Sequence, residues 1–136
     1  MSDLFFYGTL RYVPLLELVL GRPADRIDLH PGVLPGHAAH CVAGEIFPMI
    51  KPDKTGRAPG LLARGLDARD IDRLAFYEGG FGYDLREVPV QLDDGSATTA
   101  QVFFPDPGLW QAAGLWSLER WQADWAALNQ RAAQQV

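Results

Sequence analysis

Cysteine is nearly absent from this 136-residue chain, Cys41 being the only one. A lone thiol cannot close an internal disulfide, and without a Cys-x-x-Cys pair it cannot anchor a zinc site by itself. As a nucleophile it lacks an argued base, so Cys41 reads as a buried structural thiol. Basic charge is scarce as well. Against 17 Asp and Glu there are 12 Lys and Arg, for a net charge of −5. Binding a polyphosphate needs a cationic surplus, so nucleic acid is not an expected partner. No apolar run approaches the roughly 20 residues that cross a bilayer, and no basic residue precedes the short apolar run near the start. Neither a membrane span nor a secretory leader is read, and a cytoplasmic location is expected.

Motifs for several chemistries are also missing. There is no dinucleotide or Walker pattern around the glycines, so no nucleotide or other cofactor is implied. No Gly-x-Ser-x-Gly elbow supports a serine hydrolase. His37 and His40 are three apart in a glycine-interrupted strand segment, which sends them to opposite faces. Neither they nor His30 read as metal ligands.

What is present describes one globular domain over 1–136. The chain is 48% hydrophobic and 21% charged, with no internal repeat and no linker long enough to divide it. Leu4 to Tyr7 is a continuous apolar run, as expected of a strand buried on both faces. Pro14 to Leu20 reads as a helix with proline in its first turn and Gly21 just past its end. Gly32 to Phe47 reads as one or two strands bent or interrupted at Gly32, Pro35, Gly36 and Gly44. Lys51 to Pro59 reads as a polar loop, and Gly60 to Leu66 as a strand.

Asp67 then opens a helix as N-cap, with Asp70 adding negative charge to its first turn. Tyr83 to Leu92 and Ala97 to Phe104 alternate about the turn Asp93-Asp94-Gly95-Ser96, predicting a β-hairpin. Past Pro105 and Pro107 the chain is expected to be helical. Ser117 serves there as N-cap, and Leu118, Trp121, Trp125 and Leu128 form a packing stripe. Periodicity alone gives an α+β or mixed α/β fold of roughly five to seven strands and three principal helices.

Two segments carry chemistry. The break at Gly8 after an apolar strand leaves backbone N–H groups of Tyr7-Gly8-Thr9-Leu10 in a tight turn, which suits a carboxylate or a developing oxyanion. It equally suits an ordinary strand-to-helix turn. In the helix opened by Asp67, Ile71, Leu74 and Ala75 share one face, and Glu78 follows Leu74 by four residues, just before Gly79 and Gly80 end the helix. A carboxylate there would be desolvated and raised toward the range of a general base. The same Glu78 can instead reach water or pair with Arg73 or Arg86.

Taken together, Tyr7-Gly8-Thr9-Leu10 and the later run Asp72 to Val90 resemble the gamma-glutamylcyclotransferase-like (AIG2-like) family. The later run contains Tyr77-Glu78-Gly79, then Tyr83 and Arg86 opening a strand with Val88 and Val90. The resemblance extends from Leu4 to about Phe104, with looser matches at Gly44 to Met49 and Gly60-Leu61-Leu62. It implies a closed or nearly closed mixed β-barrel flanked by helices. It also implies a transferase or lyase activity, in which the α-amine of a γ-glutamyl compound attacks its own side-chain amide and releases 5-oxoproline and an amine or amino acid.

The same resemblance implies that Glu78 shuttles the proton while the N–H groups of Tyr7, Gly8, Thr9 and Leu10 hold the glutamyl moiety. Tyr83 would place its hydroxyl beside the site, although a tyrosine at a strand start also serves structure. The expected partner is a small γ-glutamyl substrate, whether glutathione, a γ-glutamyl amino acid or a γ-glutamyl amine, with no metal or cofactor. Arg11 and Arg86 can pair with a substrate carboxylate but are not counted as catalytic. The alternative is a non-catalytic module that binds a small carboxylate on the same fold.

Overall fold

The structure is a computed structural model that describes residues 2–42, 48–79, 83–105 and 112–123. The apolar start of the chain forms β1 (Ser2–Phe6), antiparallel to β3 (Pro48–Leu66) on one side and parallel to β5 (Ala97–Pro105) on the other. Strand alternation sends Leu4 and Phe6 to one face and Phe5 to the other, and all three are buried because both faces are covered.

The remaining strands close the ring. β5 pairs with β4 (Tyr83–Leu92), β4 with β2 (Asp28–Val42), and β2 returns to β3. The result is a closed mixed barrel of five strands with flanking helices, as the family resemblance implied. A short β6 (Ala112–Leu115) adds to the far end of β2.

Two cores follow from the alternation. Phe5, Tyr7, Leu34, Leu62, Val90 and Val102 fill the barrel interior. Leu4, Phe6, Ala63 and Phe103 face outward and meet Leu16 and Leu20 of α1 (Val13–Leu20) and Leu74 of α2 (Ala68–Gly79). Gly60 lets β1 and β3 cross closely, since a Cβ there would collide with the carbonyl oxygen of Phe6 and the ring of Phe5.

The helix ends follow local rules. Gly21 takes the left-handed conformation that closes α1, at φ 71°, and its N–H donates to Glu17 O at 2.8 Å. At the start of α2 the caps are reciprocal: the Asp70 amide donates to Asp67 Oδ1 (2.9 Å) and the Asp67 amide to Asp70 Oδ2 (3.1 Å). Asp94 organises the β4–β5 turn by accepting from the Ser96 amide at 2.8 Å. Residues 118–123 form a helix, α3, whose Arg120 amide donates to Ser117 Oγ at 3.2 Å. Trp121 packs edge-on against Tyr12.

Several expectations are corrected. Lys51 to Pro59 is strand rather than loop: Ala38 faces Lys51 and Pro35 faces Arg57 in an extended β2–β3 hairpin. Pairing with β2 takes up the backbone at Lys51, Pro52 and Arg57 to Pro59, and the side chains there are exposed apart from the buried Ala58. β2 runs unbroken from Asp28 to Val42, but its register against β3 shifts between Pro35 and His37, where Gly36 stands opposite Asp53 to Gly56, and its register against β6 shifts between His40 and Val42. β6 was not anticipated, because Ala112–Leu115 is too short to show a period. Ala75 is exposed, and the buried side of α2 carries Asp70 and Leu74, with Ile71 half-buried. Cys41 is half-buried rather than buried, with its Sγ 3.5 Å from Leu115 O at the end of the four-residue β6. The Gly44 to Phe47 part of the middle-strand match, and Trp125 and Leu128 of the tryptophan stripe, lie outside the described residues.

Candidate functional site

The turn after β1 is shaped by close packing. A Cβ on Gly8 would fall 2.9 Å from Pro48 Cγ at the start of β3, so the turn has no room for a side chain there. From Gly8 the chain enters a short 3-10 turn, Thr9–Arg11, in which the Arg11 amide donates to Gly8 O and the Tyr12 amide to Thr9 O, both at 3.0 Å. The amides of Gly8, Thr9 and Leu10 precede the first donor of that ladder, the Arg11 amide, and take no part in it. They are the donors such a turn offers to an anion.

The flanking side chains serve the fold. Tyr7 is 6% exposed and donates its hydroxyl to Phe103 O at 3.0 Å, while Leu10 belongs to the core beneath the helices. A ligand at this turn would therefore meet backbone N–H groups rather than the side chains of Tyr7 or Leu10.

Thr9 has a different role. Its Oγ1 lies 2.8 Å from the hydroxyl of Tyr77, in the last turn of α2. This contact joins the two segments that carry the family resemblance, 68 residues apart in the chain. Tyr77 stands inside the Tyr77-Glu78-Gly79 motif, yet nothing in its local sequence marks it as part of the site. A tyrosine one residue before a carboxylate reads as helix packing until its hydroxyl finds a distant partner.

The backbone of Glu78 follows in α2, four residues after Leu74 and seven after Ile71, so position 78 falls on the stripe that faces the body. Tyr83 opens β4 with Pro105 as its partner in the ladder. The side chains of both Glu78 and Tyr83 lie outside the described residues.

The two arginines considered as partners for Glu78 are engaged elsewhere. Arg73 Nη1 donates to Leu20 O at 2.5 Å, capping α1. Arg86 lies over the Phe104 ring, 5.3 Å from its centroid, with Asp84 at 3.7 Å. Arg11, next to the turn, is half-buried. Burial lowers its pKa, partly opposed by the charge of Glu119, and the guanidinium remains charged at any ordinary pH.

His30 contacts Asp28 at 2.7 Å, and His37 contacts Pro35 O at 2.9 Å. Among the described residues no group of three or more His, Cys, Asp or Glu comes together. No helix among them is long and apolar enough to cross a membrane. A separate apolar groove of about 780 Å³ runs between α1 and α2 past Leu18, Val19, Phe76 and Tyr77. Phe76 stands two residues from position 78, on the opposite side of α2.

The profile of the family described as "Gamma-glutamyl cyclotransferase, AIG2-like" matches residues 4–124. AIG2-like protein C of Arabidopsis thaliana is 30% identical over 125 residues, which span 88% of this chain and 69% of that protein. Among solved structures, a solution structure of an Arabidopsis thaliana protein superposes with a TM-score of 0.70 at 20% identity, covering 96% of this chain and 84% of that one. A structure described as a gamma-glutamyl cyclotransferase superposes with a TM-score of 0.67 at 13% identity, covering 82% of this chain and 69% of that one. The two structural likenesses concern the fold.

Proposed function

Because the chain belongs to the gamma-glutamyl cyclotransferase, AIG2-like family, we propose that it is a γ-glutamyl cyclotransferase acting on a small γ-glutamyl amine, amino acid or peptide such as glutathione. The single observation that carries this reading is the 2.8 Å contact between Thr9 and Tyr77, which sets the turn amides beside the helical turn holding Glu78.

The reaction asks little beyond proton transfer and charge stabilisation, since the substrate supplies its own nucleophile. In the proposed sequence the amides of Gly8, Thr9 and Leu10 hold the glutamyl moiety and stabilise the oxyanion that develops on its γ-carbonyl. Glu78 takes the proton from the α-ammonium. The freed amine attacks the γ-carbonyl and closes a five-membered ring. Glu78 passes that proton to the departing nitrogen as the amide C–N bond breaks, then takes the second proton from the new ring nitrogen and hands it to the released amine, so 5-oxoproline and an ammonium leave and Glu78 is a carboxylate again. Tyr83 stands beside Glu78 in this scheme as a hydroxyl partner of the carboxylate or the substrate. A cytoplasmic setting, where glutathione is kept reduced, belongs to the same reading.

The test is release of 5-oxoproline from a panel of γ-glutamyl amines, amino acids and glutathione. Glu78→Gln is expected to lower kcat by about two to four orders of magnitude with little change in KM. Full activity in that variant would remove Glu78 from the chemistry. No turnover of any substrate by the parent, with 5-oxoproline still bound, would return the protein to the carboxylate-binding module.

A further inference from the structure

We propose that the hydroxyl pair of Thr9 and Tyr77 is a positioning device, which fixes the substrate-holding turn against the end of α2 and thereby sets the spacing between the held carbonyl and position 78. The inference rests on the cyclotransferase reading and adds to it a pair of side-chain hydroxyls that touch neither the reacting atoms nor the proton.

The first argument is where α2 is held. Its N-terminal half is secured by the Asp67–Asp70 caps, by Arg22 on Asp70, and by Arg73 on Leu20 O. α1 runs antiparallel beside it, so the other end of the pair needs its own tie. Thr9, just ahead of α1, meets Tyr77 there. The two helices are thus joined at both ends, and the Thr9 contact lies at the end where the chemistry is proposed.

The second argument is which contact ties the turn to α2: Tyr7 is anchored to Phe103 O and Leu10 in the core, and the Thr9 hydroxyl between them is the group that reaches the helix. Thr9–Arg11 is a single 3-10 turn with two backbone hydrogen bonds. Such a segment takes the orientation of its amides from contacts outside it, and Thr9–Tyr77 is the one that refers them to α2. Thr9 is 9% exposed, so its hydroxyl has little access to water and gains from a protein partner.

The third is geometric. Neighbouring positions in a helix point about 100° apart. With Tyr77 clasping the turn, position 78 is rotated back onto the Leu74 stripe, beside the clasp and not underneath it. Reacting groups displaced by about 1 Å lose roughly a hundredfold in rate, so a clasp adjacent to both partners has leverage without contacting substrate.

The test compares Tyr77→Phe, Thr9→Val and the double variant with the parent, with Thr9→Ser as the conservative control that keeps the hydroxyl. Amide hydrogen exchange in Tyr77→Phe and in Thr9→Val is expected to rise about three- to tenfold in both 7–11 and 74–79, whichever partner is changed, and to stay near parent values in Thr9→Ser. In the turnover assay kcat should fall about ten- to hundredfold in each single variant with KM within about twofold, and the double variant should be no worse than the weaker single.

Faster exchange confined to the segment carrying the substitution would overturn the coupling. Unchanged kcat in an active enzyme would overturn the positioning role. If the parent turns over no γ-glutamyl substrate, the cyclotransferase reading fails and the positioning role with it, while the exchange pattern separately decides whether the pair couples the two segments.

Discussion

Arg22 grips Asp70 with both ends of its guanidinium, Nη1 to Oδ1 at 2.5 Å and Nη2 to Oδ2 at 3.0 Å. The carboxylate side chain is 4% exposed and the arginine 29%, so the anion is dry while the cation still touches water. Paired geometry of this kind is strong and selective for a carboxylate. It ties the segment leaving α1 to the first turn of α2, ahead of the helical turns that lead to position 78.

Asp70→Asn is expected to lower stability by about 2 kcal/mol, the scale of a hydrogen bond to a charged group with the cation left free to hydrate. The hydrogen bonds from Arg22 hold the Asp70 pKa below its usual value, outweighing the opposing effect of burial, and the Asp67 amide adds to the lowering. A depressed folded pKa means the contribution is complete above the unfolded carboxylate value of about 3.9 and drains away as pH falls through that value toward the folded one. Thermal melts across the acid range should therefore converge for parent and variant at low pH and reach their full, constant separation above about pH 4. Parallel curves at all pH values would contradict the assignment.

Gly60→Ala should destabilise the barrel by about 1–3 kcal/mol, the range for overpacking a closed site, because the new methyl meets the backbone oxygen of Phe6. A backbone atom in a paired strand cannot swing aside as a side chain can. Chemical denaturation measures the loss, and a variant as stable as the parent would show that β1 and β3 can separate without cost.

Trp121→Ala should cost about 3–5 kcal/mol, since the ring is 6% exposed and packs edge-on to Tyr12 with centroids 5.7 Å apart. Phe76→Ser should stay within about 0.5 kcal/mol of the parent, because Phe76 is 90% exposed. Urea midpoints for the two variants separate a core tryptophan from a surface aromatic, and a neutral Trp121→Ala would return the tryptophan stripe to the surface.

The sequence by itself determined whatever is decided within a few residues. Pro14 and Gly21 bound α1, Asp67 starts α2, and the alternation on either side of Asp94-Gly95 makes the β4–β5 hairpin. Each depends on a cap, a turn conformation or a period that neighbouring residues set among themselves. The motif at Tyr7 to Leu10 was legible for the same reason, being a strand that breaks at a glycine.

Tertiary structure decided what depends on distant partners. Lys51 to Pro59 looked like a loop because polarity tracks exposure, and only its pairing with β2 makes it a strand. That Gly8 faces Pro48, that Tyr77 reaches Thr9, and that Asp70 is buried against Arg22 follow from closing the ring and laying two helices on it. Those partners are 40, 68 and 48 residues apart in the chain. No local period encodes such contacts, because they are set by the packing of whole elements against a shared core.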